Sequence, residues 1–145
     1  MAIIDCNKKI FIEAAEFYAE KLGLPKDILI AIRTKKKLKG QYGYCERLIS
    51  TEEDPFEAYL IVLEDRGKDS DEDPLTILAH EMVHVKQYVK GELQDFAGYS
   101  MWKSQRFEDF SAGSEEYYFA PWEVEAYGLQ VGLFQMFMRK KYVVH

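Results

Sequence analysis

Apolar positions between residues 11 and 22 return every three or four places, at Phe11, Ala14, Ala15, Tyr18, Ala19 and Leu22. That period predicts an amphipathic helix whose other side, with Glu13, Glu16 and Glu20, faces water. Gly23 closes it and Pro25 opens the next element. The period then shortens. Residues 28–34 are apolar and β-branched and predict a strand; residues 41–49 predict a second, with Tyr42, Tyr44 and Leu48 partly buried. The lysine-rich stretch 35–40 between them fits a solvated hairpin tip. Residues 56–64 predict a third strand, and the unbroken apolar run at 59–63 predicts cover on both of its faces.

Helical spacing resumes at Leu75, Leu78, Ala79, Met82 and Val85, after a capping Asp73 and a proline at the first helical position, with Gly91 as the stop. Residues 92–120 are rich in aromatics and poor in period; 99–103 and 106–110 are predicted to pair as a hairpin, and 111–114 to form an exposed loop. A last helix is expected over residues 122–140. Val124, Leu129, Val131, Leu133, Phe134, Met136 and Phe137 make it apolar nearly all round, which predicts burial. The pattern therefore gives an α+β fold: an N-terminal helix, a small, mostly antiparallel three-stranded sheet, a central helix, an aromatic hairpin region and a C-terminal helix. With 145 residues and no repeat or linker, residues 1–145 are expected to form one domain.

Composition narrows the function classes. Hydrophobic residues are 48% and charged residues 30%, an ordinary globular balance. A formal net charge of -6 argues against a nucleic-acid partner. No apolar run approaches a membrane span, and the N-terminus lacks the basic and apolar regions of a signal peptide, so a cytoplasmic location is expected. Cys6 and Cys45 form no C-x-x-C pair, which predicts two reduced, buried thiols and neither a zinc ribbon nor a disulfide framework. Asp69, Asp71 and Asp73 imitate the start of a calcium loop, but Pro74 stands where the glycine is required and His80 where the closing glutamate belongs. Those acids fit a solvated loop at a helix N-terminus instead.

The central helix carries the chemistry. His80-Glu81-Met82-Val83-His84 has the form H-E-x-x-H and uses two of the three histidines in the chain. Residues four apart on a helix leave the same face, so both imidazoles can share one tetrahedral metal ion. Glu81 flanks that face and can take a proton without being a ligand. Such a site needs a third protein ligand. His145 stands at the C-terminus, where chain ends fray, whereas Glu123 and Glu125 sit in the first turns of an apolar helix. Either carboxylate could be the ligand; both could instead exploit the positive end of the helix.

The H-E-x-x-H motif, with Pro121-Trp122-Glu123-Val124-Glu125-Ala126 downstream, resembles zincin metallopeptidases of the gluzincin type, in particular short bacterial and phage-encoded gluzincin-like proteins. Gln87, three residues after His84, agrees with that group. The resemblance covers residues 74–87 and 122–127 and is architectural elsewhere. It implies a minimal zincin-like domain with one zinc ion on His80, His84 and Glu123, Glu125 being the alternative ligand. It also implies Glu81 as general base and Tyr127 beside a ligand, although many members carry aspartate there. Tyr117, Tyr118, Tyr99 and Tyr127 are candidate donors to an oxyanion. The third strand, at 59–63, is expected to offer its edge to an extended peptide.

The expected function is zinc-dependent hydrolysis of a peptide or protein substrate. A protein-interaction module that keeps the zincin fold without proteolysis competes with it, because a short chain leaves little room for a specificity pocket. A third expectation, removal of DNA-crosslinked proteins as in SprT-like relatives, would need the lysines at 35–39 for DNA. Those relatives carry a third histidine a turn or so after the motif, and residues 88–94 contain none.

Overall fold

The computed structural model describes residues 2–38, 41–48, 57–65, 73–110 and 114–143. Strand β1 (Ile3–Asp5) leads into helix α1 (Lys9–Lys21), then strands β2 (Ile28–Lys35), β3 (Gly43–Leu48) and β4 (Glu57–Glu64). Helix α2 (Pro74–Val89) follows, then strands β5 (Leu93–Phe96), β6 (Tyr99–Trp102) and β7 (Gln105–Glu108). Helices α3 (Glu115–Phe119) and α4 (Pro121–Tyr142) complete an α+β fold.

The principal sheet differs from the expected three-stranded, mostly antiparallel one. It has four strands in the order β1-β2-β4-β3, and β2 runs parallel to both β1 and β4. Only β3 is antiparallel, paired to β4 from Gly43↔Leu63 to Leu48↔Ala58. The segment after Lys35 is therefore a connection that leaves room for β4, not the tip of a β2–β3 hairpin; Lys39 and Gly40 lie outside the described residues. The physical reason is burial. Tyr59, Ile61, Val62 and Leu63 are all buried, which requires a neighbour on each side, whereas β3 exposes Glu46, Arg47 and Leu48 and takes the edge. So β4 has no free edge for a peptide. β3 does.

Alternate residues of β2 (Ile28, Ile30, Ile32) and β4 (Tyr59, Ile61, Leu63) join the core with Ala14, Ala15 and Tyr18 of α1 and Leu78, Met82 and Val85 of α2. Burying each large aliphatic side chain contributes about 1.5–3 kcal/mol. Tyr18 donates from its hydroxyl to the carbonyl of Leu75 at 2.9 Å, joining α1 to the first turn of α2. Asp73 caps α2 by accepting from Leu75 N at 2.8 Å, and Gly91, at φ 70°, follows its end.

The aromatic region forms the expected hairpin, with Tyr99↔Glu108 to Trp102↔Gln105 in register, turned by Lys103 and Ser104 at φ 47° and 71°. It gains a strand the period did not announce, β5, paired with β6 through a two-residue turn that places Gly98 at φ 81°. Residues 111–113 and the acids at 66–72 lie outside the described residues.

Helix α4 corrects a second expectation. Only the stripe Glu123, Ala126, Gln130, Leu133 and Phe137 is buried, against α2 and α1, while Val124, Leu129, Val131 and Met136 are exposed. One packed side suffices to hold the helix, so its remaining apolar residues stay in water. Cys6 and Cys45 are free thiols, partly rather than fully buried.

Edge strand β3 lies tightly on α2. A Cβ at Gly43 would stand 2.9 Å from Ile77 Cγ2 and 3.0 Å from the carbonyl oxygen of Val62. Gly43→Ala is expected to destabilise the fold by about 1–3 kcal/mol through overpacking. Urea unfolding would show a lower midpoint with an unchanged slope; an unchanged midpoint would contradict the packing described here.

Candidate metal centre

Helices α2 and α4 bring three buried ligand atoms together. His80 and His84, one turn apart on α2, present their Nε2 atoms to Glu123 in the first turn of α4. His80 Nε2 is 3.0 Å from Glu123 Oε1 and His84 Nε2 is 3.2 Å from Glu123 Oε2. One ligand atom from each residue lies within 4.8 Å of the others, and all three side chains are buried. Two nitrogens and a carboxylate oxygen at this spacing form a group able to hold a metal ion.

The far side of each imidazole is held by an amide. His84 Nδ1 donates to Gln87 Oε1 at 2.8 Å, and His80 Nδ1 donates to Gln130 Oε1 at 2.7 Å. The orientation of Gln87 follows from its own donations, through Nε2, to the carbonyl of Trp122 at 2.9 Å and to Glu125 Oε1 at 3.1 Å. Its oxygen must then face His84, which fixes the proton on Nδ1 and leaves the Nε2 lone pair pointing at Glu123. A lone pair facing a carboxylate oxygen is stable only with a cation between or on them. A metal ion satisfies that requirement, and so does a proton, so the donor set fits a metal.

Charge in the metal-free protein follows the same logic. Burial alone would raise the Glu123 carboxyl, but hydrogen bonds from His80 and His84 outweigh it and lower it to about 2. Burial opposes a charge on His84, yet its bond to Glu123 and the nearby charges of Glu81 and Glu123 raise it to about 9. Glu81 is pushed up, chiefly by burial, against the pull of His84 and His80.

Glu81 is 5% exposed and forms no hydrogen bond or ion pair among the described residues, and it lines the same cleft as His84 and Glu123. A buried carboxylate left without a partner beside a metal-ligand group is poised for proton transfer. Tyr117 also lines this cleft; burial, then the charges of Glu123 and Glu81, hold its phenol protonated well beyond the usual range. Such a phenol can only donate to an anion.

The other candidates separate. Glu125 turns away from the imidazoles and pairs with Lys86 at 2.8 Å, while Lys86 also pairs with Glu92 at 2.8 Å. It supports Gln87 instead of joining the ligand group. Tyr127 packs its ring on His80, centroids 4.5 Å apart, and Tyr118 packs on Tyr127 at 5.9 Å. Tyr99 stacks with Phe96 in the small sheet at 4.9 Å. His145 lies outside the described residues. Gln130 escaped the sequence reading. Its signal was a polar residue seven positions after Glu123, on the stripe that α4 buries.

Comparisons with models of protein families, with curated proteins and with solved structures found no match to this chain.

The paired charges predict a pH dependence for the metal-free protein. His84 is raised from 6.5 to about 9, so its contribution is full below 6.5 and is lost as pH rises through 9. Glu123 is lowered from 4.5 to about 2, so its contribution is full above 4.5 and is lost as pH falls through 2. Chelator-treated protein should therefore lose thermal stability between pH 6.5 and 9, and the Glu123→Gln variant should lose much less there. Equal slopes in the two melting series would show that the His84–Glu123 pair is not formed.

Proposed function

We propose that this chain is a zinc-dependent metallopeptidase of the gluzincin type, with one zinc ion held by His80, His84 and Glu123. The observation that carries the reading is the buried Glu81 carboxylate, without a hydrogen bond or ion pair among the described residues, lining the same cleft as His84 and Glu123. Zinc held there would supply Lewis acidity and would lower the pKa of a water toward neutrality.

Every other part belongs to the chain. Glu81 accepts a proton at its carboxylate and delivers it to the leaving amine. Its upward shift by burial brings its affinity for a proton closer to that task. Tyr117 donates its phenolic hydrogen to the oxygen that gains charge. Gln87 and Gln130 keep the imidazoles fixed, so no reorganisation is needed as charge develops. The backbone of strand β3, at the sheet edge among the described residues, reaches the cleft at Gly43, Tyr44 and Cys45 and offers its outer N–H and C=O groups to an extended peptide. No helix among the described residues is long and apolar enough to cross a membrane. The free thiols of Cys6 and Cys45 suit the reducing cytoplasm.

A second reading, an interaction module without proteolysis, is favoured by the exposed apolar side of α4 at Val124, Leu129, Val131 and Met136. The two separate on one variant. Glu81→Gln is expected to keep zinc at the wild-type level and to lower cleavage of a fluorogenic peptide library by about 10²–10⁴-fold. Full turnover in Glu81→Gln would exclude Glu81 as the base, and partner capture unaffected by chelator in a cleavage-dead wild type would support the module.

A further inference from the structure

We infer that the cleft beside the metal-ligand group selects a long, positively charged substrate side chain, lysine or arginine, and that Asp95 is the specificity residue that receives it. This rests on the peptidase reading only in calling the ligand a substrate. The cleft measures about 150 Å³, and among the described residues it is lined by the carboxyl groups of Glu81, Glu123 and Asp95, with the His84 imidazole turned to Glu123. Among the described residues, no lysine or arginine lines it.

The three acids are not equivalent. Glu123 is committed to the two imidazoles, and Glu81 is buried beside them. Asp95 stands exposed on β5, and each of its oxygens accepts from a hydroxyl: Oδ2 from Tyr88 at 2.5 Å and Oδ1 from Ser100 at 3.1 Å. These donors orient the carboxylate without cancelling its charge. Among the described residues, no basic side chain pairs with it. The nearby cations are engaged elsewhere, Lys103 with Glu92 and Arg106 with Glu108.

The walls suit the stem of such a side chain. Tyr88, Leu93 and Trp122 line the cleft with Asp95. Tyr88 is stacked on the fully buried Tyr59, centroids 6.3 Å apart, and Trp122 is braced by Phe107 at 5.4 Å and Phe110 at 6.2 Å. Both aromatic walls are therefore preset. An ammonium or guanidinium group would gain charge-assisted hydrogen bonds at Asp95 while its methylenes pack on the aromatic wall. A carboxylate-bearing side chain would meet the like charge of Asp95. Tying β5 to α2 through Tyr88 and to β6 through Ser100 explains the two hydroxyl bonds, yet asparagine would keep both contacts, its Oδ1 accepting from Tyr88 and its Nδ2 donating to Ser100 Oγ; the charge remains for a ligand.

The test uses the full chain with Glu81→Gln, loaded with zinc, and measures calorimetric binding of acetyl-Ala-X-Ala amides in which X is lysine, norleucine or glutamate. Lysine and norleucine share a stem, so their ratio isolates the charge. Lysine should bind about tenfold or more tighter than norleucine, a difference of about 1.4 kcal/mol, and glutamate should bind weakest. Adding Asp95→Asn should erase the lysine advantage while the norleucine peptide and zinc bind as before, and Asp95→Glu should restore part of it. Equal affinity for lysine and norleucine, a lysine preference that survives Asp95→Asn, or no binding by any of the three overturns the inference. Failure of the peptidase reading looks different: the lysine preference and its dependence on Asp95 hold, but zinc-loaded wild type leaves the lysine peptide uncut.

Discussion

The contact on which the structure depends is the Glu123 carboxylate set between two imidazoles, at 3.0 and 3.2 Å. It is the point at which α4 meets the chemistry of α2, and it is buried, so it cannot rely on water for its solvation. Charges in that position need either imidazolium partners or a metal ion. Remaining features follow from keeping the two helices in this relation. Ala126, Leu133 and Phe137 continue the packed stripe of α4 below the carboxylate, and Tyr18 fixes the opposite end of α2 to α1.

Support for the site is unequal on its two sides. His84 is held by a chain of contacts that runs through Gln87 to Glu125 and Lys86 and on to Glu92. His80 is held by Gln130 at one nitrogen and by the Tyr127 ring at its face. Both Nδ1 partners are neutral amides, where a carboxylate would make the imidazole a stronger donor to the metal. The consequence is a ligand group whose imidazoles are oriented without added charge from their Nδ1 partners. Beside it, Glu81 lines the same cleft with no hydrogen bond or ion pair among the described residues.

Much of this was legible in the chain. His80, Glu81 and His84 could be placed on one helix because Asp73, Pro74 and Gly91 punctuate it and its apolar stripe keeps one period. Glu123 stood out because a carboxylate at the start of an apolar helix needs a reason, though only tertiary geometry separated it from Glu125. The sheet was less legible. Strand periodicity reports which faces are buried, not which strand lies beside which, so β4 could not be seen inserting between β2 and β3. Strand β1 has three residues, too few for any period to register. Exposure along α4 was misread for a related reason: apolar content says a residue can be buried, and only neighbouring elements decide that it is.

The central claim is that His80, His84 and Glu123 form one metal centre. Its most direct test is the zinc content of protein purified without chelator or affinity metal, beside the Glu123→Ala variant. The account predicts about one zinc per chain in the wild type, from the one three-ligand group among the described residues, and a sharply weakened site in the variant. No zinc in the wild type and no uptake on addition, or equal zinc in both proteins, would contradict it.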